Sequence, residues 1–298
     1  MDFDLSICIC SWNTIEDLRR CLTALRDAAD EARFEVIVVE NNSEDGSGEM
    51  VTSEFPAVRL LQQYRNLGFT GGNNLAIQDR NGRHVLLLNS DAFVHPGAIG
   101  SLVAHLESTP SAGIIGPRLL NEDGSLQYSC RTFPNPVAAL FRNTPLGSLF
   151  PRNRFTRDYL MSDWDHLTEN SVDWVSGAAL MIREEALAQV GALDKDYFMF
   201  CEDMDICWRV RQCGFEVVYF PDAVVTHKIG SSTSKAPNRM IFRFHRSMLL
   251  FFKKHQLRTV NPLFRPGAYL LAAAGLTARA SYFLVRNQFD RLRRWVAR

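Results

Sequence analysis

Apolar residues along this chain fall into short runs separated by stretches of helical spacing. Leu5 to Cys10 is an apolar, β-branched run that predicts a buried strand, followed by polar Ser11-Trp12-Asn13-Thr14. Leu18, Cys21, Leu22 and Leu25 then recur at i, i+3, i+4 and i+7, the stripe of an amphipathic helix. Glu35 to Glu40 predicts a second buried strand, stopped by the turn-rich run Asn41 to Gly48. Val58 to Leu61 predicts a third, and the polar, glycine-rich segment Asn66 to Asn74 leads into a short helix near Leu75 to Arg80. Val85 to Leu88 predicts a fourth strand that ends in Asn89-Ser90-Asp91. This alternation predicts an α/β fold whose mainly parallel sheet is flanked by helices. Ligands of such sheets bind beyond the carboxyl ends of the strands, where the polar residues gather here.

Further along, Gly124 to Leu167 is rich in Pro, Arg and aromatics without a period and predicts long loops over the sheet face. Asp173 to Ile182 predicts a strand, Arg183 to Val190 a helix, Glu202 to Cys213 a helix closed by Gly214, and Glu216 to Phe220 another strand. The 298 residues are 46% hydrophobic and 22% charged, which excludes disordered, collagen-like and disulfide-scaffold classes. Formal charge is zero, but it is divided unevenly. Residues 239–298 hold thirteen Lys/Arg against the single acid Asp290, a net +12, which leaves −12 on residues 1–238. The expected division is therefore a body, 1–238, and a basic tail, 239–298.

In the tail, Phe242, Phe244, Met248, Leu249 and Phe252 interleave with Arg243, Arg246, Lys253 and Lys254, the pattern of an amphipathic helix lying on anionic lipid. Ala268 to Val285 carries one charge, Arg279, near its middle, which favours an interfacial helix or hairpin over a membrane crossing. Phe289, Leu292 and Trp295 among Arg286, Arg291, Arg293 and Arg294 repeat the theme. Apolar faces this continuous argue against a solvated nucleic-acid arm; their other use is packing on the body or on a second copy in a homo-oligomer. Seven cysteines, an odd number in apolar runs, and an N-terminus with two acids and no basic segment predict a cytoplasmic chain, peripheral on the inner membrane face.

The candidate chemistry is carried by carboxylates. Asp91 directly follows an apolar strand, where it can hold a hard divalent cation against phosphate oxygens; the alternative is a helix N-cap, since Pro96 follows. Glu202-Asp203-Met204-Asp205 places three acids at a helix start, favoured there by the macrodipole alone. Asp205 and Arg209 are four apart and can pair, leaving Glu202 and Asp203 as candidate general bases. His227 after Val224-Val225 is a structural residue or a metal ligand. Gly71-Gly72-Asn73-Asn74 can bring backbone near a phosphate, yet it matches neither GxGxxG nor GxxxxGK[ST], and no GxSxG is present.

Taken in order, Ser6 to Asn13, Val38 to Ser47, Asn66 to Asn74, Leu87 to Asp91 and Phe200 to Asp205 resemble the family 2 glycosyltransferases, particularly their rhamnosyltransferase-like branch, over about residues 4–232. The resemblance implies a GT-A fold and inverting transfer of a sugar, rhamnose from dTDP-rhamnose, from a nucleoside diphosphate to a hydroxyl of a saccharide or polyprenyl-linked saccharide during polysaccharide synthesis. It implies a donor pocket formed by Ser11, Asn13, Glu40 to Asn42, Asn66, Asn73, Asn89 and Asp91. Asp91 and His227 would hold Mg²⁺ or Mn²⁺, and Asp203, with Glu202 in reserve, would take the proton of the incoming hydroxyl. Asn89 replaces the first carboxylate of the family's DxD motif and Glu40 its usual Asp. Loss of that first carboxylate raises the alternative of an inactive nucleotide-sugar-binding or scaffold module.

Overall fold

The computed structural model describes residues 2–135, 138, 141–142, 144–228, 230 and 237–296, with backbone alone for 145 and 290–296. The expectations for Asp290 to Trp295 thus lie outside the described side chains. The chain divides into two compact units, Met1–Lys195 with Glu202–Ser231, and Asp196–Cys201 with Ser232–Arg298. The short segment Asp196–Cys201, assigned to the body on sequence, belongs with the tail.

The first unit opens with β1 (Phe3–Ser11), α1 (Ile15–Asp27), β2 (Phe34–Glu40), α2 (Ser47–Glu54) and β3 (Arg59–Gln62). It continues through α3 (Gly68–Gln78), β4 (Gly82–Leu88), β5 (Ala92–Val94), α4 (Ala98–Ser108) and β6 (Ala112–Leu120). Short strands β7 (Cys130–Arg131), β8 (Asn170–Ser171) and β9 (Trp174–Val175) precede β10 (Ala179–Ile182) and β11 (Glu216–His227). The main sheet runs β3-β2-β1-β4-β10-β6-β11-β5, with β8 on β11. β1 to β4 are mutually parallel, β10 lies antiparallel between β4 and β6, and β11 is parallel to β6. β1, β4 and β11 therefore end at the same edge. The order reverses at β1, with β2 on one side and β4 on the other, and in sheets of this kind ligands bind outside the carboxyl ends of the strands at such a point.

The core follows the apolar runs. Leu5, Ile7, Ile9, Val38, Leu86 and Leu88 are essentially unexposed, and α1 covers one face with Leu18, Leu22 and Leu25. Three local expectations change. The helix expected near Leu75 already begins at Gly68, so the glycine-rich segment is helical rather than a phosphate-cradling loop. A Cβ on Gly72 would collide with Cys10 Sγ on β1, so this glycine admits close contact of helix and sheet. The strand expected over Asp173 to Ile182 is broken into β9 and β10 at Ser176-Gly177. A strand absent from the sequence reading, β6, runs through Gly113, Gly116 and Pro117, residues that read as strand breakers. Side chains of Phe215 and Val175 fill the space that a Cβ on Gly113 or Gly116 would need.

In the second unit, Pro237–Phe251 and Arg265–Val296 form helices; the latter is continuous, so of the helix or hairpin expected within 268–285 it is the helix that forms. Its consecutive i to i−4 bonds have no Gly-Pro turn to interrupt them. Lys254 pairs with Asp196 at 2.6 Å, and the Arg243 guanidinium lies 3.8 Å over the Phe198 ring, which ties Asp196–Cys201 to the tail. Pro262–Phe289 is long and apolar enough to cross a membrane, and none of its apolar window is buried. Leu263, Leu270 and Leu271 are 80%, 67% and 76% exposed.

His84, wholly unexposed on β4, supplies a pH dependence. Its Nδ1 accepts the Glu184 N–H at 3.2 Å and its Nε2 donates to Glu107 Oε1 at 2.8 Å, so the neutral ring is satisfied and a proton on Nδ1 would face another donor. Burial pushes its pKa from 6.5 down to about 4, with Arg83 and Arg183 adding to the effect. Because the unfolded chain takes up this proton first, the stabilisation is complete above pH 6.5 and is lost as pH falls toward about 4. Thermal unfolding of wild type against His84→Gln should show a wild-type advantage near neutrality, on the order of a few kcal/mol, that fades across this window. A difference independent of pH would contradict it.

Candidate active site

The loops after β1 and β2 are cross-braced. Ser11, unexposed, meets the Thr14 hydroxyl at 3.1 Å, and Thr14 meets Ser90 at 2.9 Å, so three buried hydroxyls link the end of β1 to the loop after β4. Asn13 adopts left-handed backbone, φ 53°, a region Asn tolerates, and Asn42 does the same at 62°. The Asn13 N–H donates to Ser43 Oγ at 2.9 Å and its Oδ1 accepts from Glu44 N at 2.8 Å. Glu40 is 1% exposed; Ser43 N donates to Oε1 at 2.7 Å and the Gln62 amide donates to Oε2. Its carboxylate thus shapes the turn from within, whereas Asn42 is exposed. Asn41 bonds Leu67 N at 2.8 Å and Gly68 O at 3.1 Å, fixing the start of α3. There Asn66 Oδ1 accepts from Gly68 N at 2.8 Å. Asn73 is buried; its amide donates to Phe69 O at 3.0 Å, and its Oδ1 has no partner among the described residues.

Asp91 and His227 come together. Ala92 on β5 is paired with His227 at the end of β11, and His227 Nε2 lies 3.3 Å from Asp91 Oδ1. Asn89 Nδ2 is 3.2 Å from the same Nε2. Asp91 does not cap α4: Glu31 does, accepting from Gly97, Ile99 and Gly100 N–H groups. The strand that delivers His227 is longer than Glu216 to Phe220, because β11 passes a register shift between Phe220 and Val224 and continues. Gln127 is a residue the sequence did not reveal. It sits in the aperiodic stretch after β6, and its Oε1 is 2.7 Å from His227 Nδ1. Among the described residues no three His, Cys, Asp or Glu side chains converge on one point. One carboxylate and one imidazole, with an amide beside them, nevertheless fit a cation that completes its shell with phosphate oxygens.

Asp203 stands at the neighbouring strand end. Leu88 of β4 lies opposite Ala179 of β10, and Asn89 N–H donates to Ala178 O at 2.9 Å. Asp203 Oδ2 accepts from Gly177 N at 3.0 Å, and Oδ1 accepts from Met204 N at 2.8 Å. A Cβ on Gly177 would approach Asp203 Cβ to 3.3 Å, so the break between β9 and β10 is where the carboxylate seats. Phe200 and Cys201, just before Glu202 in the chain, both have positive φ, a strained backbone conformation. Glu202 is 5% exposed with no partner on Oε2 among the described residues, and burial together with the Asp203 charge raises its pKa well above the usual carboxylate range. Burial also raises Asp203, but the Gly177 and Met204 amides and the Arg131 charge oppose that, so Asp203 is the member that ionises first. Arg131, also unforeseen, lies 5.0 Å over the Trp174 ring. Asp205, as the i, i+4 spacing implied, pairs with Arg209 at 2.7 Å.

A family profile described as Glycosyltransferase like family 2 matches residues 4–244. An N-acetylglucosaminyl-diphospho-decaprenol L-rhamnosyltransferase of Mycobacterium tuberculosis is 31% identical over 289 residues, 93% of this chain and 91% of that protein. The rhamnosyltransferase WbbL of Escherichia coli is 24% identical over 65% of this chain and 72% of its own length. Among solved structures, a mannosyltransferase from Pyrobaculum calidifontis in complex with GDP-Man and Mn²⁺ superposes with a TM-score of 0.58 at 17% identity, covering 99% of this chain and 83% of that one. That likeness shows the fold, a GT-A fold as the sequence implied. The profile spans all the elements that carry the polar strand ends, and with the rhamnosyltransferase relatives it establishes that this chain belongs to glycosyltransferase family 2 and is a glycosyltransferase.

Proposed function

We propose that this glycosyltransferase moves rhamnose from dTDP-rhamnose, with inversion, onto a hydroxyl of a lipid-linked saccharide in cell-surface glycan synthesis. The observation that carries the proposal is the meeting of Asp91 with His227 just past β4, together with the seating of Asp203 on Gly177 beside the start of β10, the strand paired with β4. Asn42 and Asn66 would line the nucleotide side, with Glu40, Asn73 and the hydroxyls of Ser11 and Thr14 buried behind them and holding the loops in place. Asp91 and His227, with Asn89 beside them, would hold Mg²⁺ or Mn²⁺. When bound, that cation neutralises charge gathering on the departing diphosphate.

The chain's own residues do the rest. The bond from sugar to phosphate breaks through an oxocarbenium-like state, and the attacking hydroxyl must lose its proton. Asp203 takes that proton, because two amides hold its oxygens in place and Arg131 favours its ionised form. Glu202 stays neutral beside it, so the pair carries one negative charge rather than two. Attack from the Asp203 side, opposite the diphosphate, gives inversion. The donor assignment is supported by the named relatives, two of them rhamnosyltransferases.

A panel of nucleotide sugars tests this directly. Wild type should release dTDP from dTDP-rhamnose in a metal-dependent way, in preference to UDP- and GDP-sugars. Asp203→Asn should retain donor binding while turnover falls roughly 10²–10⁴-fold, the range of a lost general base. Near-normal turnover in that variant would remove the assignment.

The tail supports a membrane-side acceptor. Exposed Leu270 and Leu271 and basic Arg246 and Lys253 suit an anionic bilayer surface, where apolar burial and charge attraction add. In flotation with vesicles of mixed anionic and zwitterionic lipid, the full chain should float. Leu270→Glu with Leu271→Glu should cut the bound fraction by about tenfold or more, since each buried Leu contributes roughly 1.5–3 kcal/mol. Equal flotation of both proteins would contradict the reading.

A further inference from the structure

We infer that Gln127 is a positioning residue that fixes the tautomer of His227 and so aims its Nε2 lone pair at the cation site beside Asp91. The inference rests on the metal reading above and deepens it. Gln127 has one orientation. Its Nε2 lies 3.1 Å from the His227 backbone carbonyl, which can only accept, and 2.9 Å from Asn121 Oδ1. The NH₂ end must face these two oxygens, so Oε1 is the end at 2.7 Å from His227 Nδ1. An amide oxygen can only accept, and Nδ1 must therefore carry hydrogen.

A neutral ring with hydrogen on Nδ1 has its lone pair on Nε2. That lone pair receives the Asn89 Nδ2–H at 3.2 Å and stands 3.3 Å from Asp91 Oδ1. Two lone-pair-bearing atoms at that separation repel unless a cation, or a proton on one of the two groups, lies between them. The opposite tautomer would turn an N–H toward Asp91 and block the imidazole as a ligand.

Gln127 is itself anchored. Its backbone N–H donates to Leu119 O at 2.9 Å on β6, and Asn121 is bonded to Ser125 Oγ at 2.9 Å. The connection from β6 to the ring therefore runs through side chains with assigned donors and acceptors. Partners of this kind orient a ligating His and raise its basicity, and their loss typically weakens metal binding roughly 10–100-fold.

The full chain provides the test. In ¹⁵N-histidine-labelled, metal-free protein at mildly alkaline pH, long-range ¹H–¹⁵N spectra should show His227 with hydrogen on Nδ1; hydrogen on Nε2 overturns the inference. Gln127→Met, which removes the acceptor at similar volume, should release that preference and weaken Mn²⁺ binding in the presence of dTDP, followed by EPR of free Mn²⁺, roughly 10–100-fold. Gln127→Glu keeps an acceptor but loses both donated bonds, and should retain the Nδ1–H tautomer. An unchanged tautomer and Mn²⁺ affinity in Gln127→Met, or loss of the tautomer in Gln127→Glu, overturns the inference while leaving the metal reading intact. Failure of wild type to bind Mn²⁺ with dTDP, whatever its tautomer, is instead failure of the metal reading and removes this role with it. If Gln127→Met does not fold, the wild-type spectrum decides alone.

Discussion

The antiparallel insertion of β10 between β4 and β6 is the constraint on which the site depends. By pairing Leu88 with Ala179 it brings the break at Ser176-Gly177 beside the loop that carries Asn89 and Asp91. The Gly177 N–H, left outside the strand ladder, then takes the Asp203 carboxylate, and the start of the acidic helix is fixed against the same sheet edge. Had the segment continued as the unbroken strand its apolar run suggests, Gly177 N–H would have been free to join a ladder, and Asp203 would have lost one of the amides that hold it.

The two halves of the site are built by different means. Around the loops after β1 and β2, where the nucleotide is proposed to bind, short polar side chains bond backbone groups of neighbouring loops, as Asn13, Asn41 and Asp45 do, so these loops are shaped before any ligand arrives. On the side proposed to carry the base, the chain tolerates buried acids that are short of partners. Glu202 lacks one on Oε2 among the described residues, and the resulting rise in its pKa leaves Asp203 as the single charged member of the pair. A base that resists ionisation in the empty protein is also a stronger proton acceptor once ionised, which suits removal of a proton from a hydroxyl.

Much of this was legible in the sequence where side-chain periodicity and position coincide. β1, β2, β4 and α1 followed from apolar runs, and Asp205–Arg209 followed from helical spacing. Where glycine serves packing, the reading failed. Gly113 and Gly116 hide β6, and Gly71-Gly72 hide the first turns of α3, because a missing Cβ that admits a neighbour looks the same in sequence as a flexible turn. Gln127 and Arg131 had no signal at all, since each acts through tertiary contacts from an aperiodic stretch. For Asp91 the sequence left a cation ligand and a helix cap open, and the cap is removed only by a residue far along the chain, Glu31, which occupies the start of α4.

Crystals of the full chain grown with dTDP and Mn²⁺, examined by anomalous scattering at the manganese edge, test the central claim most directly. The account predicts one manganese within about 2.1–2.3 Å of an Asp91 oxygen and His227 Nε2, sharing the diphosphate, with the Asp203 carboxylate across the sugar site in the same crevice. Manganese held away from Asp91 and His227, or dTDP bound outside the crevice between β1 and β4, would contradict it.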